Sequence, residues 1–430
     1  MANTVPLDRL DEHFLVLDRD AEPWNVHFEA LLSERLDADR LASAIAAAMR
    51  RNPIARASLA DARPYDRRYH WRIAESPAVP LTVAECATEA DVDAAREALL
   101  GRSPILTTAP PFAVLLAHGP DGDALVLNLH HAAGDGIAAA RLMRSILLAY
   151  AGETDPAPLL DPLAVRDVTQ LAGAKTPADR HLRRGAILRH AAATAVPPAR
   201  LARSGGEDRP GYGVAHTALT AAETDALVRA RPEGATVNDV LLAALAVTAR
   251  RWNVAHGRRA WPITLTMPVN LRPPAWRDEV VGNFASYVSI VMPIAPHGVR
   301  ATAEAVAAQT SEIKRHGLAG VVVDLLAGPS LSTIATKHRL VDLIPLTGDV
   351  VVDTASLSNL GTLPPLPGAV QAVRFSPPGR MPLGAALGVL THGGRMHLTL
   401  RYRHAEFDRT AAEQFLALFR GVLAWPTDEG

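Results

Sequence analysis

The residues that decide the reading are Ala124-Leu125-Val126-Leu127-Asn128-Leu129-His130-His131-Ala132-Ala133-Gly134-Asp135-Gly136. An apolar run of strand character carries two adjacent histidines to its end. A glycine-flanked aspartate then turns the chain into the periodic stretch Gly136 to Tyr150, where Leu142, Ile146 and Tyr150 fall on one helical stripe. Successive strand residues face opposite sides, so at most one of the two imidazoles can point into a given cleft. The pair is a poor metal chelate and a better arrangement of one base beside one supporting neighbour. An imidazole titrates near neutrality and can take a proton from a hydroxyl or amine as it attacks a carbonyl, typically worth about 10²–10⁴-fold. Asp135 can fix the loop through backbone N–H groups or an arginine, keeping a histidine aimed. The same residues also fit a plainer reading, a strand-end pair satisfied by backbone and an aspartate that only caps a helix.

Upstream, His118 to Asp123 is turn chemistry and pairs Phe112–Ala117 with Ala124–His130 as adjacent strands. Leu41 to Arg50 and Asp91 to Leu100 read as helices, Tyr69 to Ile73 and Val79 to Val83 as short strands. Downstream, Gly152 to Pro162 carries three prolines and ends the periodic pattern, which places a domain boundary there. Lys175 to Arg203 holds six arginines and reads as a solvated helix plus linker that could steer an anionic substrate arm. Ser204 to Gly211 is a turn segment. Thr236-Val237-Asn238-Asp239 opens a helix as a capping box. Ile263–Pro268, Tyr287–Met292, Val350–Leu357 and Met396–Tyr402 are expected strands, and 301–316 and 410–423 expected helices. No repeat of fixed period is present.

The 430 residues suffice for two ordinary domains or one large one. With 44 Lys plus Arg against 45 Asp plus Glu, no global field draws the chain to nucleic acid or an anionic membrane. The single Cys86 cannot form an internal disulfide or a CxxC knuckle, and no metal site is expected. The first residues lack a secretory pattern, and apolar stretches are interrupted before the roughly 18–20 residues that span a bilayer. A soluble, cytoplasmic protein is expected.

At His130-His131-Ala132-Ala133-Gly134-Asp135-Gly136 the chain resembles the condensation-domain or chloramphenicol-acetyltransferase-like superfamily, whose motif is HHxxxDG. Arg51-Asn52-Pro53-Ile54-Ala55-Arg56 looks like that family's RHxxLR segment. Pro268-Val269-Asn270-Leu271-Arg272-Pro273, Val281-Gly282-Asn283-Phe284 and Leu357-Ser358-Asn359-Leu360-Gly361 look like its P(V/I)NxR, GNF and SNLG segments. Pro6 to Asp11 and Asn238 to Ala244 are similar to the opening and the ND helix of wax ester synthase/diacylglycerol acyltransferases and of mycobacterial polyketide-associated acyltransferases. The chain has no DFGWG segment of plant-type alcohol acyltransferases and no clear NVPGP element.

The resemblance implies an α/β fold of two acetyltransferase-like sandwich domains in a V-shaped pseudo-dimer with a central tunnel. The expected division is 1–165, a 166–212 connection and 213–430. It implies acyl transfer from an acyl-CoA or a phosphopantetheine-bound acyl group to a small-molecule alcohol or amine. The donor would come without a permanently bound cofactor, in some cases from an acyl or peptidyl carrier protein. Carried over by residue, His131 is the general base, His130 its structural neighbour and Asp135 the loop-fixing carboxylate. Arg56 is the expected partner of Asp135, Gly136 takes a tight turn, and Ser358 and Asn359 face the tunnel as substrate or oxyanion contacts. Arg272 reads as a structural ion pair, and Asn238 and Asp239 as helix-start chemistry. Peptide-bond formation, cyclisation or epimerisation on a carrier-bound substrate, and a non-catalytic binding protein of the same fold, are the alternatives.

Overall fold

A computed structural model describes the chain except residues 1–2, 157–159, 194–195, 208, 277–280, 293–297, 327–332, 343–351, 380–384 and 425–430. Pro158, Asp208 and the Val350 start of an expected strand lie outside the described residues. The first half contributes β1 (Asn3–Pro6), β2 (Asn25–Leu32), β3 (Ala57–Leu59), β4 (His70–Ile73), β5 (Leu81–Glu85), β6 (Phe112–Gly119) and β7 (Gly122–His130). The second contributes β8 (Tyr212–Ala218), β9 (Thr264–Asn270), β10 (Ala285–Val291), β11 (Ala355–Thr362), β12 (Val370–Ser376), β13 (Ala385–His392) and β14 (Arg395–Arg403).

These strands form a five-stranded sheet, β12-β2-β7-β6-β5, a six-stranded sheet, β10-β9-β11-β13-β14-β8, and a small β1-β4-β3 sheet. The β6–β7 hairpin is tighter than the sequence suggests. Gly119 pairs with Gly122, so Pro120 and Asp121 alone form the loop. Helix Ala38–Arg51 starts on Asp37, whose side chain accepts from the Arg40 N–H, and buries Leu41, Ile45, Ala48 and Met49. It packs beside helix Gly136–Ala151, to which Asn52 Nδ2 donates at Ser145 Oγ (3.0 Å). In the second half the capping box at Thr236 and Asp239 starts helix Val237–Ala255, whose apolar residues form the centre of that lobe's core. The second carboxylate oxygen of Asp239 accepts from Thr310 Oγ1 (2.8 Å), so this aspartate is fully used in structure.

One strand ties the halves together. β12 comes from the second half of the sequence but pairs antiparallel with β2 of the first sheet. To reach it, β12 crosses the face of the other sheet at Gly388, where a Cβ would lie 1.9 Å from the Phe375 carbonyl oxygen. Only glycine permits that approach. The crossing is fastened by Glu29, fully buried on β2, which accepts from Arg96 (Nε and Nη2, both 2.7 Å) and from Arg374 of β12 (3.2 Å). Burial alone would raise the Glu29 pKa, but the two guanidiniums and His27 hold it well below the usual range. A second latch comes from β14, where the buried Arg401 donates to the carbonyls of Asn25 and Leu100 (3.1 Å each). No helix among the described residues is long and apolar enough to cross a membrane.

Candidate active site

β7 ends at His130, and the turn that follows carries His131 to the wall of a narrow cavity of about 90 Å³. The imidazole lies flat on Phe14, with centroids 4.0 Å apart and planes 13° from parallel, and Trp24 closes beside it at 6.2 Å. Its backbone N–H donates to the Trp24 carbonyl (2.8 Å), which fixes the main chain, while Nδ1 has no hydrogen-bond partner among the described residues. Burial lowers the His131 pKa to about 4, only partly opposed by its own backbone and the Asp135 charge. At pH 7 the neutral form therefore dominates by roughly a thousand to one.

His130 points elsewhere, as strand alternation requires. Its Nδ1 accepts from the Ala132 N–H (3.1 Å), leaving the proton on Nε2, which faces Asp18 Oδ2 at 3.6 Å. Burial would raise the Asp18 pKa. The contact with His130 and the hydrogen bonds from Ser103 Oγ and the Trp24 N–H bring it below its ordinary value. This residue supports the loop and does not reach the cavity.

Asp135 is the hinge pin of the site. One oxygen accepts from the Ala138 N–H (3.0 Å) and caps helix Gly136–Ala151; the other accepts from Arg272 Nη1 (2.6 Å) and the Phe284 N–H (2.9 Å). Arg272 also donates to the Gly282 carbonyl (2.7 Å) and lies over the Phe284 ring. The Asn270–Arg272 and Gly282–Phe284 segments thus converge on the aspartate of the first half. Burial favours the neutral acid, but Arg272 and these N–H groups keep the Asp135 pKa below its ordinary value.

Two expectations are corrected here. Arg56 does not pair with Asp135: it donates to the carbonyls of Ala74 (2.9 Å) and Glu75 (3.2 Å), closing the turn after β4, and Arg272 takes the role. Gly136 is not in a left-handed conformation, so a tight turn does not explain it. A Cβ there would lie 2.7 Å from Leu360 Cδ2 and from the Phe375 ring, and close packing excludes a side chain.

The second half closes the cavity with Thr266 and Pro268 of β9, Ser286 and Tyr287 of β10, Ser356 of β11, and Pro377 and Pro378 after β12. Ser358 and Asn359 are not part of this wall. Ser358 is buried two residues further along β11, and Asn359 Oδ1 accepts from the Gly361 N–H (2.9 Å) where the strand's register shifts before Thr362. Ser356 takes the place expected of them. Its Oγ is buried at the cavity wall with no hydrogen-bond partner among the described residues. Ser286 Oγ, by contrast, is committed to the Ala319 carbonyl (2.6 Å). Phe14, Trp24 and Tyr287 carry no sequence pattern that marks them as site residues, whereas Ser356 shares a strand face with Ser358 by the two-residue period. Four of the six arginines between Lys175 and Arg203 have partners: Arg183 with Asp324 (2.6 Å), Arg189 with Glu312 (3.2 Å) and Arg203 with Glu406 (2.9 Å). Arg200 donates to the carbonyls of Val352 and Asp353.

The arrangement joins a neutral imidazole to an unpaired hydroxyl across an apolar cavity, a setting in which a proton can be taken and a developing oxyanion met. An uncharacterized protein of Mycobacterium tuberculosis (strain H37Rv), Rv2305, is 36% identical over 443 residues, covering 98% of this chain and 100% of that protein. The cyclization-docking bidomain of EpoB from Sorangium cellulosum superposes with a TM-score of 0.73 at 17% identity, over 99% of this chain and 85% of that one. A doubly substituted starter condensation domain of rhizomide synthetase RzmA, in complex with C8-CoA and Leu-SNAC, gives 0.67 at 16% identity, over 99% and 95%. Members of the condensation-domain family are typically acyl-transferring enzymes. The condensation-domain family model matches residues 13–321, which include the His130–Gly136 loop, Arg272 and Phe284, and the chain belongs to that family.

Proposed function

We propose that the protein transfers an acyl group from a thioester, an acyl-CoA or a carrier-bound acyl chain, to an alcohol or amine acceptor, with His131 as general base. The observation that carries this reading is the neutral His131 imidazole at the cavity wall, in the same cavity as the unpaired Ser356 hydroxyl. The acceptor's oxygen or nitrogen attacks the thioester carbonyl carbon while its proton passes to His131. The carbonyl oxygen, now an oxyanion, accepts from Ser356 Oγ–H. The tetrahedral adduct collapses, the C–S bond breaks, and the thiolate recovers the proton from the imidazolium. An empty-site pKa near 4 makes His131 a weak base. The imidazolium forms only as the oxyanion appears beside it, and the mutual attraction of the two charges in a dry site offsets the desolvation.

Asp135 and Arg272 act as positioning residues, holding the loop on which His131 rides. The aromatic and proline walls favour an apolar acyl or acceptor group. The likeness to a starter condensation domain bound to C8-CoA and Leu-SNAC supports a thioester donor, and the activity we assign belongs to natural-product or lipid biosynthesis in the cytoplasm. The test incubates the full chain with acyl-CoA or acyl-pantetheine thioesters and follows free thiol with and without alcohols and amines. Acceptor-dependent thiol release with a new ester or amide is expected. Epimerisation or cyclisation of a carrier-bound peptide without transfer to a free acceptor would overturn the proposal.

A further inference from the structure

A second pocket lies away from the cavity just described, where β12 crosses the face of the larger sheet near its β8 edge. On β14 the even positions Met396, Leu398, Leu400 and Tyr402 belong to the second half's core, so Arg395, His397 and Thr399 face the other way, toward β12. There they meet Arg374 of β12 and His216 of β8 around a pocket of about 240 Å³. No aspartate or glutamate is among its lining residues. Arg374 reaches Glu29 with Nη1 (3.2 Å), but that carboxylate is already held by both arms of Arg96, and Nη2 is left to donate to His216 Nε2 (2.6 Å). Because the guanidinium can only donate, Nε2 must be the acceptor and the His216 proton sits on Nδ1, a further donor. His397 is itself pushed to a pKa of about 4, first by burial and then by Arg395, His392 and Arg374. Cations and N–H donors therefore gather along the pocket lining, and the carboxylate that Arg374 touches, Glu29, is held by Arg96 as well.

We propose that this pocket binds a compact phosphate dianion, either inorganic phosphate or the terminal phosphate of a phosphomonoester, held by Arg374, Arg395, Thr399 and the two imidazoles. Two guanidiniums on different strands match the oxygens of a tetrahedral anion, and each charge-assisted bond is stronger than a neutral one. The bound anion bridges β12, which belongs to the first sheet, to β8 and β14 of the second, and so braces the crossing between the halves.

The test uses the full chain and its Arg395→Gln variant. Arg395 is exposed, so the substitution spares the core. Inorganic phosphate is titrated against the thermal midpoint and by calorimetry, with chloride at matched ionic strength as control. Coenzyme A and dephospho-coenzyme A, which differ by one phosphomonoester, form the second arm. Saturable stabilisation by phosphate beyond the chloride response is expected, with affinity at least about 10-fold weaker in Arg395→Gln. If coenzyme A outcompetes dephospho-coenzyme A and the difference vanishes in Arg395→Gln, the phosphate is part of a larger ligand; if the two are equal while phosphate binds, the ligand is free phosphate. No saturable response in either arm, or an affinity unchanged in Arg395→Gln, would overturn the proposal.

Discussion

Replacing Arg272 by Ala removes the one side-chain cation that pairs with Asp135 among the described residues. The carboxylate is left buried, with the N–H groups of Ala138 and Phe284 as its remaining partners. Breaking one side of such a pair costs about 3–5 kcal/mol, because the orphaned charge stays out of water. Against a typical stability of about 5–15 kcal/mol this is a large loss. Urea unfolding followed by tryptophan fluorescence, run as a double-mutant cycle with Asp135→Asn, reads the coupling directly. The pH dependence supplies a second check. In the parent chain the folded Asp135 pKa lies below its ordinary value, so its contribution is present above that value and lost as pH falls through the folded pKa. Without Arg272, burial dominates and raises the folded pKa, and acidification from pH 7 should then recover stability. Arg56→Ala, which removes donors to the Ala74 and Glu75 carbonyls, should cost about 1 kcal/mol and show no coupling to Asp135. A coupling below about 1 kcal/mol for Asp135 with Arg272, or an equal one with Arg56, would refute the reasoning.

Three further outcomes follow from the same geometry. Ser356→Ala deletes a hydroxyl that has no partner among the described residues, so unfolding curves should move by less than about 0.5 kcal/mol while turnover falls about 10²-fold; loss of stability without loss of turnover would remove Ser356 from the site. Gly388→Ala drives a Cβ into the Phe375 carbonyl and should lower the thermal midpoint or prevent soluble folding, with a cost of at least about 2 kcal/mol; an unchanged midpoint would contradict the crossing of β12. His131 has a folded pKa near 4 against an ordinary 6.5, so the unfolded chain binds its proton first and stability is lost as pH falls from 6.5 to 4. The span is worth about 3 kcal/mol, and His131→Gln should flatten the stability profile over that window.

The strand, turn and helix around His131 were legible because local rules agree there: apolar residues up to the histidines, turn residues after them, and an aspartate able to cap. Helix Val237–Ala255 was legible for the same reason. Strand β2 was not read at all, since His27 and Glu29 in its middle look like solvent positions. Glu29 is buried because Arg96 and Arg374, 67 and 345 residues away, neutralise it, and His27 because its ring nitrogens meet Glu29 and Ser376 Oγ. β13 (Ala385–His392) was missed because alanine and glycine give it little strand character, and its Gly388 is required by a crossing strand that no local pattern reveals. The partner of Asp135 follows the same logic. Arg56 is nearer in sequence, but Arg272, 137 residues away, is brought in by pairing of β9 with β10. Ser356 and Ser358 share one face of one strand, and the position of the cavity along β11 decides between them.

The most direct test of the central claim compares the parent chain with His131→Ala in acceptor-dependent thiol release from an acyl thioester, alongside a circular dichroism melt. The account predicts turnover lower by at least about 10²-fold in a variant that still unfolds cooperatively. Near-parental turnover from the folded variant would contradict it.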